Sequence, residues 1–148
     1  MNSITMRTMI TILLFCFASN LAYLSAQEHN SEIIERYSYY VLKGSKLTEN
    51  TSSLIQVNKR QGDDDAHIAL FYSKGEKLKI KTAQIEDMQG NVIRKLQNKD
   101  IIDQNASSSS TMHSDRFVKH FKLLHNSYPY RIRYEYEYEP SRFITIES

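Results

Sequence analysis

The stretch YPYRIRYEYEYEP, residues 128–140, alternates almost without a slip. Tyr130, Ile132, Tyr134, Tyr136 and Tyr138 fall on one parity, and Arg131, Arg133, Glu135, Glu137 and Glu139 on the other. Successive side chains of an extended chain point to opposite faces, so this segment reads as a strand with one apolar and one charged face. Such a strand belongs in an antiparallel sheet with something apolar packed on its tyrosines. Tyrosine suits the place because its ring packs while its hydroxyl reaches the rim. A second reading makes Tyr130, Tyr134, Tyr136 and Tyr138 an exposed platform that binds a glycan or peptide. In either case the charged parity discourages edge-to-edge sticking, and Pro140, with no N–H to donate, ends the strand.

The same period of two recurs along the chain, whereas helical periodicity is hard to find after residue 27. EIIERYSYYVLK reads as a strand with Ile33, Tyr37, Tyr39 and Val41 on one face. Lys43-Gly44-Ser45-Lys46 is turn chemistry, and the return through Leu47, Thr51, Ile55 and Val57 completes a hairpin. Gln61-Gly-Asp-Asp-Asp65 is a polar loop. HIALFY is a third strand, closed by a turn at Lys74-Gly75. In KLKIKTAQIED the apolar parity switches between Ile80 and Ala83, which predicts a bulge or bend near Thr82. A tight reversal at Asp87 to Asn91, a short strand at Val92 to Leu96, a mobile Ser-rich loop at Gln104 to Thr111 and a strand at Arg116 to Leu124 follow. The expected fold is all-β and mainly antiparallel, a β-sandwich-like domain preceded by a signal-peptide helix.

The front of the chain is a different kind of segment. Met1 to Arg7 is basic, Met9 to Ala18 is apolar, and Ser25-Ala26 supplies small residues for cleavage. This is the layout of a secretory signal peptide over residues 1–26, leaving 27–148 as a single β-rich domain. The apolar run is about half the ~20 residues that a spanning helix needs. The protein is therefore expected in the periplasm or outside the cell, touching membrane only through an uncleaved leader. Cys16 goes with that leader, so the mature domain has neither a disulfide nor a thiolate nucleophile. A formal charge of +2 over 148 residues gives no reason to expect nucleic acid.

Candidate chemistries are sparse. Lys77, Lys79 and Lys81 line one face of their strand and read as the wet side of a sheet. Asp63-Asp64-Asp65 lacks the alternation of a calcium loop, because consecutive acids point in different directions. The five histidines show no close zinc spacing, and His113-Ser114-Asp115 sets triad residue types side by side on a chain where neighbours face apart. Four glycines could hardly build a phosphate loop. The expectation is a non-enzyme with no catalytic residue, metal or cofactor, and with a protein, peptide or glycan as partner.

KIKTAQIEDMQGNVIRKLQNKDIIDQNA followed by HSDRFVKHFKLLHNSYPYRIRYEYEYE resembles domain-of-unknown-function family 3857. The resemblance is carried by the Asp-x-x-Gly turn at Asp87 to Gly90, the cluster Lys99-Asp100-Ile101 with Asp103, Ser114-Asp115-Arg116, and Ser127-Tyr128-Pro129-Tyr130. It runs from about Glu32 to the C-terminus. The family is the exported N-terminal companion of bacterial transglutaminase-like domains, which implies a scaffolding or interaction module in the cell envelope. The chain stops as Phe143-Ile-Thr-Ile opens a further strand, so the resemblance implies a truncated member, with no catalytic residue carried over.

Overall fold

The computed structural model describes residues 29–106 and 115–141. The leader, the centre of the Ser-rich segment, His113, Ser114 and the stretch from Phe143 onwards lie outside the described residues.

Among the described residues eight strands follow one another: β1 (Ser31–Lys43), β2 (Lys46–Val57), β3 (His67–Ser73), β4 (Lys77–Glu86), β5 (Val92–Lys95), β6 (Ile102–Asn105), β7 (Arg116–Lys122) and β8 (Tyr130–Glu139). Short 3-10 turns occupy Arg60–Ala66 and Asn98–Asp100. The strands form two sheets, a larger one in the order β1-β2-β8-β4-β5 and a smaller one in the order β3-β7-β6. Every pairing is antiparallel.

The alternation in β8 explains why it sits at the centre of the larger sheet. Ile132 lies opposite Ile55 of β2 on one side and Ile85 of β4 on the other, and Tyr134 lies between Ser53 and Ala83. Cross-strand partners share a face, so this row becomes one apolar stripe. It packs on Ile68, Phe121 and Leu123 of the smaller sheet's segment, with Ala66 of the first 3-10 turn filling the join. The Phe121 and Tyr134 rings meet edge to face at 6.3 Å. The result is a mainly antiparallel β-sandwich.

On the opposite face of β8 the glutamates meet lysines of both neighbouring strands: Glu139 pairs with Lys46 of β2 at 2.7 Å and Lys77 of β4 at 3.6 Å, and Glu137 with Lys81 of β4 at 3.3 Å. Lys77 and Lys81 thus belong to the wet face of the sheet. The bulge expected near Thr82 is present as a register shift between Ile80 and Thr82. Gly44, at φ 61, makes the β1-β2 turn as expected.

Three expectations need correction. A second bulge between Ile33 and Glu35 places Ile33 opposite Ile55 on the inner face, while Tyr37 lies opposite Ser52 on the outer one. Ile33 therefore does not share a face with Tyr37, Tyr39 and Val41. The Gln61 to Asp65 loop is wound into a 3-10 turn. Gln104 and Asn105, expected at the start of the Ser-rich loop, belong instead to the strand Ile102–Asn105, which is fixed to β7 by a Lys119–Asp103 ion pair at 2.6 Å. Among the described residues, no helix is long and apolar enough to cross a membrane.

Candidate functional site

The four tyrosines of the proposed platform divide into two pairs. Tyr130 and Tyr134 are 1% and 2% exposed and form part of the core. Burial takes both rings out of an exposed tyrosine platform. The Tyr130 hydroxyl donates to Asp63 at 3.2 Å, beside Tyr128, which donates to both oxygens of the same carboxylate at 2.9 and 2.8 Å. Burial, together with the negative charge of Asp63, pushes the Tyr130 phenol well above its ordinary range. Tyr136 and Tyr138 are half-buried and line a cavity of about 310 Å³ with Glu49, Leu70, Phe71 and Leu78. Burial and a hydrogen bond with Glu76 raise the Tyr138 pKa to about 12.

The exposed aromatic surface lies instead on β1, where Tyr37, Tyr39 and Tyr40 are 49%, 54% and 63% exposed. Tyr37 and Tyr39 flank a small depression of about 130 Å³ with Asn50, Ser52, Lys81 and Glu135.

A larger cleft opens at the seam between the two sheets. It holds about 410 Å³, with Ile33, Ile55, Ile68, Leu70 and Tyr134 among its apolar lining and Ser31, Glu32, Arg36, Asp64, Asp65 and His67 supplying polar groups. Among the described residues, β1 is the outer strand of one sheet and β3 the outer strand of the other, so a strand edge without a described neighbour borders the cleft on each side. Arg36 reaches inward from β1, its Nε donating to Ser53 Oγ at 3.1 Å and its Nη2 to the Tyr134 hydroxyl at 3.0 Å. That tyrosine hydroxyl anchors the guanidinium at the edge of the core, which gives Tyr134 a supporting place in this site.

The acidic run builds one end of the cleft. Asp63 turns inward to Tyr128 and Tyr130, Asp65 accepts a hydrogen bond from Ser31 Oγ, and Asp64 faces the cleft. The three carboxylates thus serve three different directions. Gly62 lets the turn press on β1, since a Cβ there would stand 2.2 Å from the Asn30 carbonyl oxygen. Asn30 O in turn accepts hydrogen bonds from the Asn58 and Lys59 N–H groups.

Ser31, Asp65 and His67 are residue types that hydrolases use. Here the serine hydroxyl donates straight to the carboxylate, which is not the nucleophile–imidazole–carboxylate order that activates a serine. Among the described residues, no group of three or more His, Cys, Asp or Glu is arranged to hold a metal ion. The geometry offers an apolar trough with a charged rim, bordered at each lip by a strand that has no further neighbour among the described residues.

Sequence reasoning singled out the acidic run but neither Arg36, His67 nor Ser31. Arg36 and His67 come from strands of different sheets, and only the three-dimensional crossing through the 3-10 turn brings them together.

The family model described as "Domain of Unknown Function with solved-structure structure (DUF3857)" matches residues 45–146. The chain belongs to this family. The match begins after β1, so the strand that forms one lip of the cleft lies outside the matched part of this DUF3857 chain. No curated protein matches it significantly. Among solved structures, the DUF3857 chain is similar to one from Parabacteroides distasonis described as "a putative protease", with a TM-score of 0.65 and 9% identity. That alignment covers 75% of this chain and 23% of the other, so the DUF3857 chain spans under a quarter of that longer protein. Identity at this level speaks for a shared fold alone. A second solved structure, the CBM3a-L domain of a Clostridium thermocellum cellulosome scaffoldin, aligns with a TM-score of 0.34 and 15% identity over 75% of this chain and 68% of that one.

Proposed function

We propose that this DUF3857 chain is an exported, non-catalytic interaction module that receives an extended peptide segment of a protein partner in the seam between β1 and β3. The observation that carries this reading is the cleft itself: two free strand edges facing an apolar trough. A strand edge offers backbone N–H and C=O groups to an incoming chain, and pockets for alternate side chains supply selectivity. The rim charges Glu32, Arg36 and Asp64 would fix the direction and register of that segment.

Export rests on the basic, apolar and small-residue layout of residues 1–26. The family resemblance adds the envelope setting, in which such a domain accompanies a transglutaminase-like catalytic domain and helps to hold or present its protein substrate. The solved neighbour, in which this fold forms a minor part of a longer chain, is consistent with a companion role.

The test is binding of a panel of extended peptides to the full chain and to the exposed rim variants Glu32→Lys and Asp64→Lys. A peptide that binds and is weakened about tenfold by either variant supports the reading. Absence of binding, or binding indifferent to both substitutions, contradicts it.

A further inference from the structure

We propose that two copies of this chain join edge to edge through β1, residues 35–43 of one strand pairing antiparallel with the same residues of the other about a two-fold axis at Tyr39. Among the described residues β1 is the longest strand at a sheet edge, thirteen residues against four in β5 and β6 and seven in β3. Short strands are one way that folds blunt their edges, and β1 lacks it. It also carries no proline, and its bulge lies at residues 33–35, at the margin of the pairing segment.

The side chains along this edge are those that a paired strand would cover: Tyr37, Tyr39, Tyr40 and Leu42 are 49%, 54%, 63% and 60% exposed. The register follows from backbone geometry. The N–H and C=O of one residue point to the same side of its strand, so two identical strands related by a two-fold axis must set residues of equal parity opposite one another. The axis at Tyr39 sets Glu35 against Lys43 twice by symmetry, Tyr37 against Val41 twice, and Tyr39 against itself, all on the outer face defined by the pairing with β2. On the inner face Arg36 meets Leu42 and Ser38 meets Tyr40. Axes at Tyr37 or Ser38 leave Glu35 opposite Tyr39 or Val41, and an axis at Arg36 opposes two guanidinium groups. Opposite charges, aromatic with β-branched and aromatic with aromatic are the favourable cross-strand combinations.

Charge complementarity therefore selects a second copy of this chain as the occupant and fixes how it lies. The inference shares the β1 strand, Arg36 included, with the proposed peptide site, while residues 31–34 and Asp64 stay outside the paired segment, so Glu32→Lys and Asp64→Lys probe the one and Glu35→Lys and Lys43→Glu the other.

The test is sedimentation equilibrium of the full chain in reducing buffer. The wild-type chain is expected to dimerise reversibly. Lys43→Glu and Glu35→Lys each set like charges opposite one another at two places, which should weaken association about tenfold. The doubly exchanged Glu35→Lys/Lys43→Glu chain should recover wild-type association, and Glu32→Lys, outside the paired segment, should leave it unchanged. Amide exchange within residues 35–43 of the unaltered chain, slowing as concentration rises, gives a reading that needs no variant. A chain that stays monomeric, a dimer indifferent to the single reversals, or a double exchange that fails to restore association overturns the proposal.

Discussion

Gly62→Ala is expected to destabilise the fold far more than its size suggests. The glycine is buried in the 3-10 turn, and the added methyl would lie 2.2 Å from Asn30 O, 2.7 Å from its carbonyl carbon and 3.1 Å from Ser31 Cβ. Two of these are backbone atoms, so no side chain can rotate away and the start of β1 must move. That carbonyl accepts from Asn58 N–H at 2.9 Å and, more weakly, from Lys59 N–H at 3.4 Å. Losing a hydrogen bond costs about 1 kcal/mol, and overpacking a filled site adds about 1–3 kcal/mol. The sum is roughly 2–4 kcal/mol, which corresponds to a fall in melting temperature on the order of 10 °C for a domain of this size. Gly44→Ala provides the contrast, because its φ of 61 carries a conformational cost of about 1 kcal/mol but no atom lies within 4 Å. Urea unfolding of both variants, with an unchanged m-value, is the assay. A Gly62→Ala loss under about 0.5 kcal/mol, or one equal to that of Gly44→Ala, would refute the claim that the turn clamps β1.

Ile132→Ala, at a fully buried position between Ile55 and Ile85, should cost about 3–4 kcal/mol in the same assay. Tyr134→Phe should cost about 1 kcal/mol, and a double-mutant cycle with Arg36→Ala should show coupling, since the two side chains share a hydrogen bond. Tyr72 and Tyr138 are held near pKa 12 by burial and by hydrogen bonds to Asp103 and Glu76, and burial beside Asp63 raises Tyr130 as well. The folded chain therefore keeps phenolic protons that the unfolded chain gives up, so stability should be unaffected below about pH 10 and fall as pH rises from there through 12. Circular dichroism against pH, read beside phenolate absorbance, checks that window, and stability that rises with pH across it would contradict the assignment.

Much of the fold was legible because a half-buried antiparallel strand writes its two faces as alternating residues. β8 is the clearest case, and the parity switch in β4 announced its bulge between Ile80 and Thr82. The bulge in β1 was hidden because Ile33 and Ile34 are both apolar, so nothing in the residue types marks which one faces inward. β6 escaped because Ile102-Asp-Gln-Asn105 has a single apolar residue, and its place is fixed by backbone pairing and by Asp103. The destination of each strand was not written locally either. The turn at Gly75 looks like a hairpin turn, yet it carries the chain from the smaller sheet to the larger one. The cleft depends on that crossing, which is why the sequence directed attention to the β8 tyrosines and not to Arg36 and His67.

Tyr130 and Tyr134 of β8 belong to the interior, whereas Tyr37, Tyr39 and Tyr40 of β1 form the exposed edge. The most direct test is nitration of the full chain at low reagent concentration, with each modified tyrosine located by peptide mapping. At a dilution where the chain is monomeric, Tyr37, Tyr39 and Tyr40 are expected to be modified rapidly, and Tyr130 and Tyr134 to be protected until the chain unfolds. Rapid modification of Tyr130 and Tyr134 in the folded chain would contradict it and return the tyrosine row of β8 to the surface.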